Sequence, residues 1–189
     1  VMQGFKRFTL WRAGRRGAKS SFAIYKQGKY AVTHPNTVNW YVAQDTSLLE
    51  DEIIPRAIAQ WGELIPPNGY SKARKCITFI NGSKWFFKSA NSNNSLRGRG
   101  LHSLVCEEAV FWQNGHSTFH DTLRPQLADF NGWCLIISSP PSKKCPRGAE
   151  WFRRLENMYM EEINGGTDDY AVYHSTIYDN PHIEVAEIE

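Results

Sequence analysis

The chain has 189 residues, of which 41% are hydrophobic, 13% aromatic and 22% charged, and its formal net charge is +3. This composition excludes collagen-like and disordered chains and predicts one domain over 1–189 with a sizeable core. The apolar runs are far shorter than the roughly 20 residues that span a bilayer, and no signal segment is recognised, so we expect a soluble intracellular protein that does not enter membranes.

Apolar runs typical of strands alternate with stretches of helical periodicity along the chain. This alternation predicts an α/β domain with a mostly parallel sheet flanked by helices. In chain order, we predict a strand over 7–13, a helix over 19–29, a strand over 38–44, a helix over 46–64, a hairpin over 76–90, strands within 103–109 and 133–141, a helix over 149–163 and a strand over 170–177.

Local signals refine two of these elements. Asn81-Gly82 lies between two runs rich in β-branched and aromatic residues, so we expect a β-hairpin as an insertion or at a sheet edge. In the helix over 46–64, Thr46 or Ser47 is a suitable N-cap, and Pro55 predicts a kink or a break.

The stretch LWRAGRRGAKSSF has the outline of a phosphate-binding loop, GxxxxGK[ST], between a strand and a helix. Such a loop wraps backbone N–H groups round an anion and supplies a lysine for the outer phosphates. Alanine occupies both glycine positions of the pattern, and Ala18 is tolerated if its backbone does not need a positive φ. The predicted nucleotide-binding residues are Ala13, Gly14, Arg15, Arg16, Gly17, Ala18, Lys19, Ser20 and Ser21, and the Ser20 hydroxyl is also a candidate ligand of Mg²⁺.

Glu107 and Glu108 directly follow an apolar run, where the acidic partners of such a loop are expected. One carboxylate would hold hydrated Mg²⁺, and the next would orient and deprotonate water. Two glutamates that merely begin a helix are the alternative, and the loop upstream favours the paired site. Ser138 and Ser139 end the following apolar strand, where they either sense a terminal phosphate or form a plain turn.

Two arginines in the stretch LRGRG precede the acidic strand. Arg97 and Arg99 are candidates for the arginine that stabilises charge in phosphoryl transfer, supplied in cis or by a neighbour. Solvated surface arginines and contacts to DNA phosphates are the alternatives.

Four motifs, in this order and spacing, resemble the ATPase domain of the large terminase subunit, the DNA-packaging motor of tailed bacteriophages: GRRGAKS, LRGRGLHSLVCEEA, LIISSPP and YDNPHI. The resemblance runs through nearly the whole chain and implies a P-loop NTPase fold that uses ATP and Mg²⁺. It implies that Lys19 and Ser20 bind phosphate and metal, Glu107 is the metal-side acid, Glu108 is the catalytic base, Ser138 and Ser139 couple hydrolysis to movement, and Arg97, with Arg99 second, acts on a neighbour's ATP.

The same resemblance implies partners and a setting. They are double-stranded DNA, a portal protein, a small terminase subunit and a homo-oligomeric ring at the procapsid portal in the host bacterial cytoplasm. A nuclease domain follows the ATPase domain in the family, and we expect this chain to be a fragment without it, monomeric and weakly active when isolated. Two departures stand out, because Ala18 replaces glycine and Glu107 is one methylene longer than the more usual aspartate.

Other interpretations stay open at this point. A helicase-like P-loop ATPase would need a second motor domain, and a non-hydrolysing nucleotide or DNA-binding module would not need two acids. His116 and His120, with Asp121, have a spacing that zinc sites use, although further ligands are not apparent. The four cysteines form no CxxC pair, which predicts reduced, mostly buried thiols. A DNA-facing set or a solvated loop is expected at Lys143, Lys144 and Arg147.

Overall fold

The computed structural model describes residues 5–14, 18–91, 96–98, 100–141, 146–176 and 179, with the backbone alone for 146 and 147. One sheet runs through the described residues, and it is built from short strands. These are β1 (Phe8–Ala13), β2 (Val38–Ala43), β3 (Tyr70–Ser71), β4 (Cys76–Thr78), β5 (Lys84–Ser89), β6 (Ser103–Glu107), β7 (Trp133–Ser138) and β8 (Tyr170–Ser175).

Helical segments join the strands. They are α1 (Lys19–Thr33), α2 (Thr46–Leu48), a π turn (Leu49–Ile53), α3 (Ile54–Trp61), a 3-10 turn (Gly62–Leu64), a second 3-10 turn (Ala109–Phe111), a second π segment (Ser117–Leu123), a third 3-10 turn (Arg124–Leu127) and α4 (Pro146–Asn164). Within the described ranges, none of the helices combines the length and the apolar character that a membrane crossing needs.

The strand order in the sheet is β3-β4-β5-β2-β6-β7-β1-β8. All neighbouring pairs from β5 to β8 are parallel, and the two pairs at the β3 edge are antiparallel. The predicted α/β architecture with a mostly parallel sheet is therefore confirmed. The strand β7 separates β1 from β6, so that the ends of these three strands are neighbours.

Both faces of the sheet are buried, as the continuous apolar runs predict. Along β7, Leu135 and Ile137 belong to the core that includes residues of α1 and α3. Cys134 and Ile136 point the other way, into the core that includes residues of α4. Because successive side chains alternate between the faces, the helices form one layer on each side of the sheet.

The hairpin predicted around Asn81-Gly82 is confirmed, and it lies at the sheet edge. Strand β4 is antiparallel to β5, while β5 is also parallel to β2 on its other side. Gly82 has a φ of 81°, which glycine adopts readily.

Helix α1 is fixed at its middle and at its end, which positions the loop that precedes it. The amide of Gln27 is buried and donates to the Trp40 carbonyl and to Ser103 Oγ, both at 2.9 Å. The amide of Asn81 donates to the Ala31 carbonyl at 2.8 Å, in the last turn of α1. The helix is therefore tied to β2, β6 and the hairpin by hydrogen bonds that the sequence pattern did not reveal.

The predicted N-cap of the helix after β2 is wrong by one residue. Asp45 is the cap, and its carboxylate accepts from the Leu48 backbone N–H at 3.0 Å and from the Ser47 hydroxyl at 2.7 Å. The first of these hydrogen bonds, followed by the second, lowers the pKa of Asp45. Asp45 takes this position because its backbone is extended, whereas Thr46 already begins the helix.

Pro55 lies in the first turn of α3, where its missing N–H is tolerated. The preceding turn, Leu49–Ile53, is a π turn in which the Ile54 N–H donates to the Leu49 carbonyl. The interruption expected at Pro55 is thus a change of helix type, and the chain stays helical through it.

Replacing Asp45 by alanine should lower the free energy of unfolding by about 1 kcal/mol near neutral pH, because the cap to the Leu48 N–H is lost. A lowered pKa means that the ionised cap contributes above the usual carboxyl range and is lost as the pH falls through the folded-state pKa. Urea unfolding at about pH 7 and about pH 3 measures both effects. Asp45→Asn keeps an acceptor and is the control; an equal loss in both variants would contradict the cap.

Candidate nucleotide site

Polar residues meet where β1, β7 and β6 end. Strand β1 pairs with β7 up to Arg12 and Ser138, and β7 pairs with β6 up to Ile137 and Glu107. Since all three strands are parallel, the segments that follow them emerge at one edge of the sheet. This edge brings together residues from three of the four sequence motifs.

Lys19 is the first residue of α1, and its side chain is only 6% exposed. Its ammonium group donates to the carbonyls of Ala13 and Gly14, each at 3.1 Å. The same nitrogen lies 3.6 Å from Oε1 of Glu108. The lysine of the predicted loop therefore reaches the acid pair of a different strand, within a loop that its own hydrogen bonds close.

Ala18 does need a positive φ. Its φ and ψ are 56° and 16°, which is the left-handed region, and this residue precedes the first turn of α1. A non-glycine residue in this region carries a steric cost of roughly 1–2 kcal/mol because Cβ approaches a carbonyl oxygen. The condition for tolerating alanine without strain is therefore not met, and the loop contains local backbone strain.

The carboxylate of Glu107 is buried and has two hydroxyl donors. Ser20 Oγ donates to Oε1 at 2.8 Å, and the Tyr41 hydroxyl donates to Oε2. Burial raises the pKa of Glu107, while the hydrogen bonds from Tyr41 and then Ser20 act in the opposite direction. Burial, followed by the charge of Glu107, holds the pKa of Tyr41 well above its ordinary value, so this hydroxyl stays a donor.

Hydroxyl and carboxylate oxygens are the protein ligands that Mg²⁺ prefers, so the pair formed by Ser20 and Glu107 fits a magnesium ion in its chemistry. The two oxygens come from the helix that follows β1 and from the end of β6. Among the described residues, no cluster of three histidine, cysteine or acidic side chains could hold a metal ion. A metal at this edge would therefore depend on water or phosphate for its other ligands.

Glu108 also has a left-handed backbone, with φ and ψ both 46°. Its carboxylate accepts from the Ser139 backbone N–H at 2.9 Å and from the Ser139 hydroxyl at 3.0 Å. These bonds and the approach of Lys19 direct the side chain across β7 toward the loop. Strained backbone of this kind is common at functional sites, where neighbouring contacts hold it in place.

The two serines at the end of β7 have different contacts. Ser139 binds the carboxylate of Glu108, whereas Ser138 is fully buried and its Oγ accepts the Val110 backbone N–H at 3.0 Å. Ser138 therefore supports the 3-10 turn that follows the acids. Sequence reasoning grouped the two residues, and the structure separates them.

The remaining predicted residues fall into three groups. Arg15, Arg16, Gly17 and Arg99 lie outside the described residues. Ser21 is exposed, and the Arg56 side chain on α3 donates to its hydroxyl at 2.5 Å, so its described contact is with α3. The exposed Arg97 follows Leu96, whose carbonyl accepts from the Gln126 amide at 2.6 Å, and this segment leads to the amino end of β6, opposite Glu107.

The other predicted groups are structural or undescribed. The rings of His116 and His120 lie 4.6 Å apart, without a third metal-binding side chain among the described residues. The thiols of Cys76, Cys106 and Cys134 are free and buried, as expected. Outside the described side chains lie Cys145, Lys143, Lys144 and Arg147.

Sequence reasoning missed Tyr41 and Arg56. Tyr41 is in the middle of β2, where an aromatic residue indicates only a buried strand. Its contact with Glu107 depends on β2 being the neighbour of β6, which follows from the strand order and from no local pattern.

No model of a known protein family matches the chain. The chain is 29% identical over 191 residues to the large terminase subunit of Escherichia phage T5; the match covers 97% of the chain and 40% of that protein. The chain therefore spans about two fifths of the length of this relative.

Solved structures share the fold. The ATPase domain of the Thermus phage P74-26 large terminase is similar with a TM-score of 0.71 at 18% identity, over 94% of this chain and 78% of that one. The large terminase of a second thermophilic bacteriophage, in complex with ATP-γ-S, gives a TM-score of 0.65 at 13% identity, over 96% of this chain and 42% of that one.

The fold and the loop define the class first: this is a P-loop NTPase fold, with the loop between β1 and α1. The resemblance to the ATPase domain of phage large terminases, which four sequence motifs indicate, is then confirmed by the similarity in sequence to the phage T5 subunit and in fold to the P74-26 domain.

Replacing Ala18 by glycine should raise the free energy of unfolding by about 1 kcal/mol, because the left-handed backbone is kept and the Cβ strain is removed. Ala18 is exposed, so no packing is lost. Urea unfolding measures the change. Ala59→Gly is the matched control, since Ala59 is exposed within α3 and the same substitution should there lower stability by about 1 kcal/mol. A decrease in both variants would contradict the strain.

Proposed function

We propose that this chain is the motor domain of a phage large terminase subunit, which hydrolyses ATP to move double-stranded DNA into a procapsid. The observation that carries the proposal is the meeting of Lys19, the acid pair and Ser139 at one sheet edge. The similarity to the phage T5 subunit and the complex of a thermophilic phage terminase with ATP-γ-S support the same function.

Nucleotide binding is assigned to the loop and the start of α1. The N-terminus of a helix of 15 residues attracts anionic phosphate, and Lys19 adds a positive charge at the first position. Its ammonium group is held by neutral carbonyls of the loop itself, so its charge stays available to the outer phosphates. The predicted contacts of Arg15, Arg16 and Gly17 are part of this proposal.

Ser20 and Glu107 would hold Mg²⁺. When bound, the metal ion neutralises negative charge on the phosphates. Glu107 can accept this task because its carboxylate is already placed 2.8 Å from the Ser20 hydroxyl. Burial of the carboxylate keeps bulk water away and strengthens its electrostatic interactions.

Glu108 is assigned the role of the general base that orients and deprotonates the attacking water. Ser139 holds both oxygens of this carboxylate, and Lys19 lies on the same side. A change in the position of Glu108 must alter the hydrogen bonds of Ser139, because the contact is direct. This link supports a role for Ser139 in coupling hydrolysis to movement, with Ser138 bracing the adjacent turn.

Arg97 is proposed to act on the ATP of a neighbouring subunit. Its exposure, and its position on the amino-end side of β6, favour a role in trans over one in its own site. Arg99 is the second candidate. The active form is then a ring at the procapsid portal in the host cytoplasm, working with a portal protein and a small terminase subunit, and the isolated single domain is a monomer.

Neither rival function has better support. A helicase-like ATPase would share the loop and the acids, but the similar proteins are named as large terminases. A passive binding module has no need for a carboxylate held beside the loop lysine, and Glu108 lies 3.6 Å from Lys19.

Mg²⁺-dependent ATP hydrolysis should rise more steeply than linearly with protein concentration, since the arginine comes from a second copy. Glu108→Gln should lower kcat by about 10²–10⁴-fold while ATP still binds, and Lys19→Ala should abolish binding. Arg97→Ala should lower kcat by up to about 10³-fold or more and make the remaining rate linear in concentration. Steady-state rates and the binding of a fluorescent ATP analogue measure these changes.

A mixing experiment separates action in cis from action in trans. Arg97→Ala keeps its own site and Glu108→Gln keeps its arginine, so mixing the two inactive variants should restore turnover. Arg154→Ala is the matched control, because this exposed arginine pairs with Glu150 on the surface of α4. ATP binding without turnover that is unchanged by Glu108→Gln would contradict the motor and favour a passive module.

A further inference from the structure

Tyr41 lies on β2, a strand that carries none of the sequence motifs. Its ring is fully buried and packs beside Trp85 and Phe87, with centroids 6.5 and 6.1 Å away. A buried tyrosine hydroxyl needs a hydrogen-bond partner, and this one donates to Oε2 of Glu107. A rigid ring therefore places a donor at the metal-side acid.

The two oxygens of Glu107 are held from opposite sides. Ser20, at the start of α1, donates to Oε1, and Tyr41, on the strand next to β6, donates to Oε2. Two donors on separate elements fix the rotation of the carboxylate group. Each carboxylate oxygen has two lone pairs, so Oε1 keeps the capacity to bind a cation beside Ser20.

The length of the side chain makes this support necessary. Glutamate has one more rotatable bond than the aspartate that is more usual at this position, and fixing a free side chain costs entropy. The hydrogen bond from Tyr41 selects one arrangement of the longer chain. An aspartate would withdraw its carboxylate by one methylene and would leave the Tyr41 hydroxyl without this partner.

We propose that Tyr41 is a positioning residue: it holds the Glu107 carboxylate beside Ser20 and thereby sets the affinity of the site for Mg²⁺. Outer-shell partners of this kind orient metal ligands and commonly change metal affinity by about 10–100-fold when they are removed. The inference rests on the proposed function, because it takes Ser20 and Glu107 as the magnesium-binding pair.

Tyr41→Phe removes the hydroxyl and keeps the ring. We expect the Mg²⁺ concentration that half-saturates binding of a fluorescent ATP analogue to rise about tenfold, because Glu107 loses its fixed orientation. Binding of the same analogue in EDTA should change less than about twofold, since the loop and Lys19 are intact. This split between metal-dependent and metal-free affinity distinguishes positioning from a loss of structure.

Tyr159→Phe is the matched control, because its hydroxyl is also fully buried but lies in the core on the other face of the sheet. It should leave both binding measurements unchanged. Equal Mg²⁺ dependence in Tyr41→Phe and the unmodified protein would overturn the inference, as would a loss of the same size in EDTA. Absence of Mg²⁺-dependent nucleotide binding in the unmodified protein would instead contradict the proposed function, and the inference with it.

A double-mutant cycle tests whether the effect passes through Glu107. In the Glu107→Asp background, the carboxylate no longer reaches Tyr41, so adding Tyr41→Phe should change the half-saturating Mg²⁺ concentration by less than about twofold. If Tyr41→Phe weakens Mg²⁺ binding equally in the unmodified protein and in the Glu107→Asp background, the hydroxyl acts independently of this acid and the inference is wrong.

Discussion

The parallel register of β1, β7 and β6 is the constraint on which the candidate site depends. Arg12 pairs with Ser138 and Glu107 pairs with Ile137, so three segments that are distant in sequence end at the same level. A slip of one residue would turn every side chain of a strand to the other face. Burial on both faces of β7 makes such a slip costly, because each side chain is fitted to a different helical layer.

Two left-handed residues flank the site, and their surroundings differ. Glu108 is held by hydrogen bonds to Ser139, by Lys19 and by the turn that its own carbonyl closes with Phe111 at 3.0 Å. Its strain is therefore stabilised by contacts that also direct its carboxylate. Ala18 is exposed, and its strain follows from the loop geometry that precedes α1, where glycine would be free of it. Strain at Glu108 thus serves the arrangement of the acids, whereas strain at Ala18 is a removable cost.

Patterns in the sequence predicted what is local. Turn chemistry at Asn81-Gly82, apolar runs in the strands and the spacing of the loop each depend on neighbours along the chain, and the structure agrees with them. The cap at Asp45 was misplaced, because several adjacent residues can cap and backbone geometry selects one. Tyr41 and the separate contacts of Ser138 and Ser139 were not predictable, since they depend on which strands are neighbours and on how one residue's side chain is oriented.

The contacts of the site form a continuous path from the loop to the end of β7. Lys19 approaches Glu108, Glu108 is bound by Ser139, and Ser138 fixes the turn after the acids through Val110. A displacement of Lys19 or Glu108 changes the hydrogen bonds of Ser139, while Ser138 and the Tyr41-supported Glu107 stay anchored in the core. The site therefore combines one acid held rigidly on the metal side with another whose partners lie on two different strand ends. Only the second arrangement can transmit a change in the nucleotide to the rest of the fold.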